Sequence, residues 1–218
     1  MRRLDNQNPA VHGGSINPVR LSVIIPTCGR ETLIRTLKSV QKAGVSPDDE
    51  IIVVGDGRQP RAEEICQEFR EAKVPVEYLE FGPTHGFGGS QRNHGIRVAT
   101  GEYILFMDDD DEYTEGALDY MREMGTKHRG RIMVAKMLHR SIGEIWKTHE
   151  IKIGNIGTQM LAVPNDPPRL AKWTDLYVAE YLFLRETADK WPMGDAGIVW
   201  LDRVICTHHF CPEDPRRI

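Results

Sequence analysis

The feature that most constrains this chain is a strand-and-helix alternation written into its first hundred residues. Leu21 to Ile25, within "RLSVIIPTCGR", is an unbroken run of β-favouring residues stopped by Pro26, the pattern of a strand covered on both faces. Leu33, Leu37 and Val40 then recur at helical spacing, and Gly44 closes that helix before "SPDD" turns the chain. The unit repeats with a strand at Ile51 to Val54, ended by Gly55-Asp56-Gly57, and a helix whose buried stripe holds Ile65 and Phe69. A third strand, Val76 to Leu79, leads into a glycine-rich loop and a helix starting near Ser90 and stopping at Gly101. Tyr103 to Met107 is the fourth strand. Strands alternating with helices require right-handed crossovers, so the expectation is an α/β fold: a Rossmann-like, mostly parallel central sheet flanked by helices. In such sheets ligands bind beyond the carboxyl ends of the strands. Pro26-Thr27, Asp56 and "MDDDDEY" all fall at that edge.

Beyond Gly116 the pattern loosens. A helix is expected over Ala117 to Met124 and a strand over Ile132 to Leu138, followed by short strands and turns through "GEIWKTHEIKIGNIGTQMLAV". A helix from about Thr174 to Trp191 and a last strand over Ile198 to Cys206 complete the reading. "PNDPPR" reads as a loop, since too little chain follows it for a second core. The 218 residues therefore divide into a leader over 1–18, polar and rich in turn formers, and a single domain over 19–218.

Composition narrows the partners. With 28 basic against 32 acidic residues the net charge is -4, which argues against a nucleic-acid binder. Cys28, Cys66, Cys206 and Cys211 form no CxxC pair and have no histidine at zinc-finger spacing, the signature of free thiols in a reducing compartment. The beginning of the chain lacks the apolar stretch of a signal peptide, and the apolar runs have strand length, so a cytoplasmic protein without an integral membrane segment is expected, with peripheral membrane contact and a homo-oligomer left open.

Four adjacent carboxylates, Asp108 to Asp111, directly after a hydrophobic strand repel one another and call for a compensating cation. Carboxylate oxygens suit Mn²⁺ or Mg²⁺. Together "LSVIIPTCGR", "EIIVVGDG" and "GGSQRNHGIRVATGEYILFMDDDDEYTEGAL" resemble, in order and spacing, the family 2 glycosyltransferases of the GT-A fold. The resemblance covers about the first half of the chain.

That resemblance implies a metal-dependent, inverting transfer of a sugar from a nucleotide-diphospho-sugar, UDP-linked, to a saccharide or lipid-linked hydroxyl acceptor. It divides the domain into a nucleotide-sugar-binding half over 19–118 and an acceptor-binding half over 119–218. Set on the family's DxD motif, Asp108 is the first aspartate, Asp110 the second and Asp111 an additional one. Asp110 is then the metal ligand and Asp108 a ribose or metal contact, with Asp109 and Asp111 as contenders. Asp56 corresponds to an acidic residue that accepts the uracil imide N–H. Pro26 and Thr27 match the loop that wraps the base, with Cys28 where an aromatic residue often stands. Arg30 and Arg92 are the phosphate-matching guanidinium groups, Arg92 lying in "QRNHG", which resembles the family's "ARNxG".

The same resemblance calls for a carboxylate base opening a late helix. The family's "ED" pair is not intact here, and Glu180 or Asp175 fills the place. His208, with His209 beside it, follows the last strand where a further metal ligand can stand, and Trp146, Trp173 and Tyr177 are candidates for an apolar acceptor wall. Two rival readings remain from the residues alone. A nucleotidyltransferase would want a lysine in the first loop, which "PTCGRET" lacks, and a non-catalytic sugar-nucleotide or Ca²⁺-binding module would tolerate the broken pair.

Overall fold

The structure, a computed structural model, describes residues 17–209. Most of the expected leader and Cys211 lie outside the described residues; Cys28, Cys66 and Cys206 are free thiols, the last two buried. The elements run β1 (Leu21–Thr27), α1 (Thr32–Lys42), β2 (Glu50–Asp56), α2 (Pro60–Glu71), β3 (Val76–Phe81), α3 (Gly89–Val98), β4 (Tyr103–Phe106), β5 (Glu112–Tyr113), α4 (Ala117–Lys127), β6 (Met133–His139), β7 (Gly143–Ile145), β8 (Leu161–Pro164), α5 (Ala179–Lys190) and β9 (Val199–His208).

Among the described residues one sheet carries all the strands, in the order β3-β2-β1-β4-β8-β6-β9-β5, with β7 paired to β6. β3, β2, β1 and β4 are mutually parallel, as the alternation requires. The strand runs of β1 and β4 are buried at every residue because helices cover both faces. Antiparallel pairing enters where β8 joins β4 and β6, and β9 returns parallel to β6. A single apolar core runs from Val19 to Cys206 through both halves.

The structure corrects the late helix. It starts at Ala179 rather than near Thr174, because Trp173 spends its backbone amide and carbonyl, and Asp175 its carboxylate, on α3. The stretch after β7 is mostly turns, and β5 is a two-residue strand that period-2 reading could not detect. Trp146 and Trp173 are core residues, 8% and 3% exposed; Trp173 stacks on Phe183 with ring centroids 4.3 Å apart. Of the three aromatic residues expected to wall an acceptor, only Tyr177 is exposed.

Candidate active site

β1, β2 and β4 end at one edge of the sheet, and the loops leaving them surround a cavity of about 620 Å³. Pro26, Thr27, Arg30, Asp56, Arg92 and the aspartates Asp108, Asp109 and Asp110 all line it, as does Glu180. A parallel sheet brings these residues together because successive strands end side by side while their crossovers pass behind.

The aspartate turn is held from below by α1. Arg35 donates to the Asp110 carbonyl (2.6 Å) and Thr36 Oγ1 to the Asp111 carbonyl (2.7 Å). Its carboxylates then share a small set of partners. Asp108 pairs with Arg92 and accepts from Gln159 Nε2. Asp109, 1% exposed, accepts from Thr27 Oγ1 at 2.6 Å and pairs with Arg30 at 3.1 Å. Burial pushes its carboxyl up to about 6, against the opposing pull of Arg30 and Thr27. Asp110 pairs with Arg30 at 2.8 Å, and Asp111 accepts from Gln159 and from the His209 amide. Two guanidinium groups thus offset part of the like-charge repulsion.

Carboxylate oxygens of Asp108, Asp110 and Asp111 still converge, all lying within 4.8 Å of one another. This all-oxygen set fits a hard divalent cation such as Mg²⁺ or Mn²⁺. His208 is outside the group. Its position opposite His139 in the β6–β9 register stacks the two rings, with centroids 4.5 Å apart.

Asp56 closes β2 and gathers the loop after β3. Its carboxylate accepts from the amides of Thr84 (2.6 Å) and His85 (2.9 Å) and from Gln91 Nε2 (2.8 Å). Arg92, besides pairing with Asp108, donates to the Phe87 carbonyl at 2.9 Å and lies over the Trp173 ring at 5.0 Å. The structure separates the two candidate bases. Glu180, in the first turn of α5, lines the cavity, and burial raises its carboxyl above the ordinary glutamate range, with Arg92 opposing and Asp108 adding to the shift. Asp175 instead accepts from the Gly89 amide (2.9 Å) and Ser90 Oγ (3.0 Å) at the start of α3.

Sequence reading missed Gln91 and Gln159. Gln91 sits in the recognised "QRNHG" run, so its place beside Asp56 had a local signal. Gln159 had none, because it lies 48 residues from Asp111 and only the route of β8 brings it in.

Comparison with known proteins identifies the family and the fold. The model of a family described as glycosyl transferase family 2 matches residues 22–194. The chain is 34% identical over 106 residues to the GalNAc(5)-diNAcBac-PP-undecaprenol beta-1,3-glucosyltransferase of Campylobacter jejuni, covering 48% of this chain and 34% of that protein. It is 29% identical over 119 residues to the poly(ribitol-phosphate) beta-N-acetylglucosaminyltransferase TarP of Staphylococcus aureus, covering 54% of this chain and 36% of TarP. It thus spans about a third of the length of either relative. Among solved structures, S. aureus TarS 1-349 in complex with UDP-GlcNAc superposes with a TM-score of 0.69 at 19% identity, over 87% of this chain and 58% of that one. At that identity the likeness establishes the GT-A fold.

Proposed function

Because the chain belongs to the family 2 glycosyltransferases, we propose that it transfers a sugar from a UDP-linked donor to a hydroxyl of a saccharide or lipid-linked acceptor, with inversion at the anomeric carbon. The observation that carries this reading is the convergence in one cavity of Asp56, the aspartate turn, two arginines and a half-buried glutamate. A UDP-GlcNAc complex of a protein with the same fold and a relative acting on an undecaprenol-linked glycan support the donor and acceptor classes.

In this reading the base sits over the loop after β1, by Pro26 and Thr27, with Asp56 facing its edge. Asp108, Asp110 and Asp111 would hold Mn²⁺ or Mg²⁺, which when bound supplies Lewis-acid stabilisation of the leaving diphosphate. Glu180 takes the proton from the acceptor hydroxyl. That oxygen forms the new bond to the anomeric carbon as the bond to the donor phosphate breaks, and the electron pair leaves with UDP. A carboxyl raised by burial is a stronger base than an ordinary one once ionised, which suits this role. Arg30 and Arg92 hold the aspartates in place and present positive charge toward the diphosphate.

The test is calorimetric titration of UDP, GDP and CDP into the protein with and without Mn²⁺, followed by transfer assays with UDP-sugars. UDP binding that strengthens with Mn²⁺, and turnover reduced at least about 100-fold in Asp110→Asn, are the expected results. Binding of none of the three nucleotides would overturn the donor assignment, and full turnover in both Asp108→Asn and Asp110→Asn would overturn the metal site.

A further inference from the structure

Between β8 and α5 the chain crosses the donor-side helix α3 and is fastened to it at two points. Asn93 and Trp173 exchange two hydrogen bonds: Asn93 Nδ2 donates to the Trp173 carbonyl (2.8 Å) and the Trp173 amide donates to Asn93 Oδ1 (2.9 Å). Two residues on, Asp175 takes the first free amide of α3 and the Ser90 hydroxyl. Asp175 is in effect the N-terminal cap of a helix 86 residues away in sequence, where Gly88, the residue in the cap position, has no side chain to offer. Two glycines make the approach feasible. A Cβ at Gly86 would collide with the Asp175 carboxyl, and one at Gly89 would collide with the Thr174 carbonyl.

The fastened segment leads through Leu176 and Tyr177 into the first turn of α5. Val178, at its cap position, provides no side-chain cap. The turn is instead closed by backbone bonds, with the Ala179 amide donating to the carbonyl of Leu176, the residue after Asp175 (3.1 Å), and the Leu182 amide to the Val178 carbonyl (3.2 Å). Glu180 lies between those two bonds. Its other anchor is Phe183, 0% exposed and packed against Trp173 and Phe106.

We infer that Asn93 and Asp175 form a clasp that sets the position of Glu180 relative to the donor side of the cavity, and that Asp175 is a positioning residue rather than the base. The inference rests on the transferase reading for its kinetic consequence, whereas the clasp itself can be read without any turnover. A displacement of about 1 Å in a reacting group can cost 10²-fold in rate.

The experiment compares Asp175→Asn, Asp175→Ala, Asn93→Ala and the double alanine variant. Asparagine at 175 keeps the geometry, its carbonyl accepting from Gly89 and its amide donating to Ser90 Oγ, but removes the charge. Asp175→Asn is therefore expected to keep kcat within about threefold of the parent, while Asp175→Ala and Asn93→Ala each lower kcat by about 10- to 100-fold with UDP binding little changed. The double variant should be no worse than about the poorer single one, since both open the same clasp. Amide exchange at Ala179 and Leu182 should speed up in the alanine variants and not in Asp175→Asn. All four substitutions leave the rings of the Trp173, Phe106 and Phe183 cluster in place.

Loss of turnover in Asp175→Asn, with Glu180→Gln still active, would make Asp175 the base and overturn the inference. Unchanged exchange at Ala179 and Leu182 in both single alanine variants would also overturn it. If the parent transferred no sugar, the transferase reading would fail while the exchange measurement still decided the clasp.

Discussion

At the scale of single residues, Glu180 carries the sharpest pH expectation. Burial raises its carboxyl, so below the raised value it is protonated and unable to accept a proton. The acid limb of kcat/KM against pH should therefore lie above the ordinary glutamate range, and turnover should be lost in Glu180→Gln; pH-rate profiles of parent and variant check both. The stability consequence has the opposite sign. A carboxyl raised in the folded state favours folding while protonated, and that contribution is lost as pH rises through the folded value. Glu180→Gln should accordingly melt higher than the parent at pH 7 and show no such gain at low pH. The aspartate run was legible in the sequence as a site, but its division of labour was not. Four identical side chains in a row carry no register, and the partners that distinguish them, Arg30, Arg92 and Gln159, come from three other segments.

At the scale of elements, β2 begins with a residue that ties three connections together. Glu50 accepts from Ser22 Oγ on β1 and from the amides of Thr100 and Gly101 in the turn between α3 and β4. Partial burial works against its charge, yet these bonds outweigh it and hold its carboxyl below the ordinary glutamate value of 4.5. Stability from this group is present above the ordinary value and lost as pH falls through the lowered one. Glu50→Gln should cost about 1 kcal/mol at pH 7, modest because the group is partly solvated, and less at pH 4; urea unfolding at the two pH values checks it. The early elements were readable because each buries an apolar stripe of its own. α5 was read five residues too long because Thr174 to Val178 has no local helix breaker; bonds from Trp173 and Asp175 to α3, which the sequence does not record, hold the chain ahead of the helix.

At the scale of the whole molecule, the two halves share a buried ion pair. Asp49, before β2, accepts from the amides of Leu21 (2.9 Å) and Ser46 (2.8 Å) and pairs with Arg122 on α4, in the half expected to bind the acceptor. Its side chain is 1% exposed, so removing its partner leaves a buried carboxylate without its counter-charge. Arg122→Ala should lower the unfolding free energy by about 3–5 kcal/mol, measured by denaturant titration. Among the described residues no helix is long and apolar enough to cross a membrane. The sequence by itself determined the parallel half of the sheet and the edge where the cavity lies, because burial on both faces and helical spacing are local properties of a chain. Only the tertiary structure decided which acidic residue faces the cavity and which caps a helix. That choice depends on hydrogen bonds between segments some 80 residues apart, between Asp175 and α3 above all, and periodicity along the chain cannot encode them.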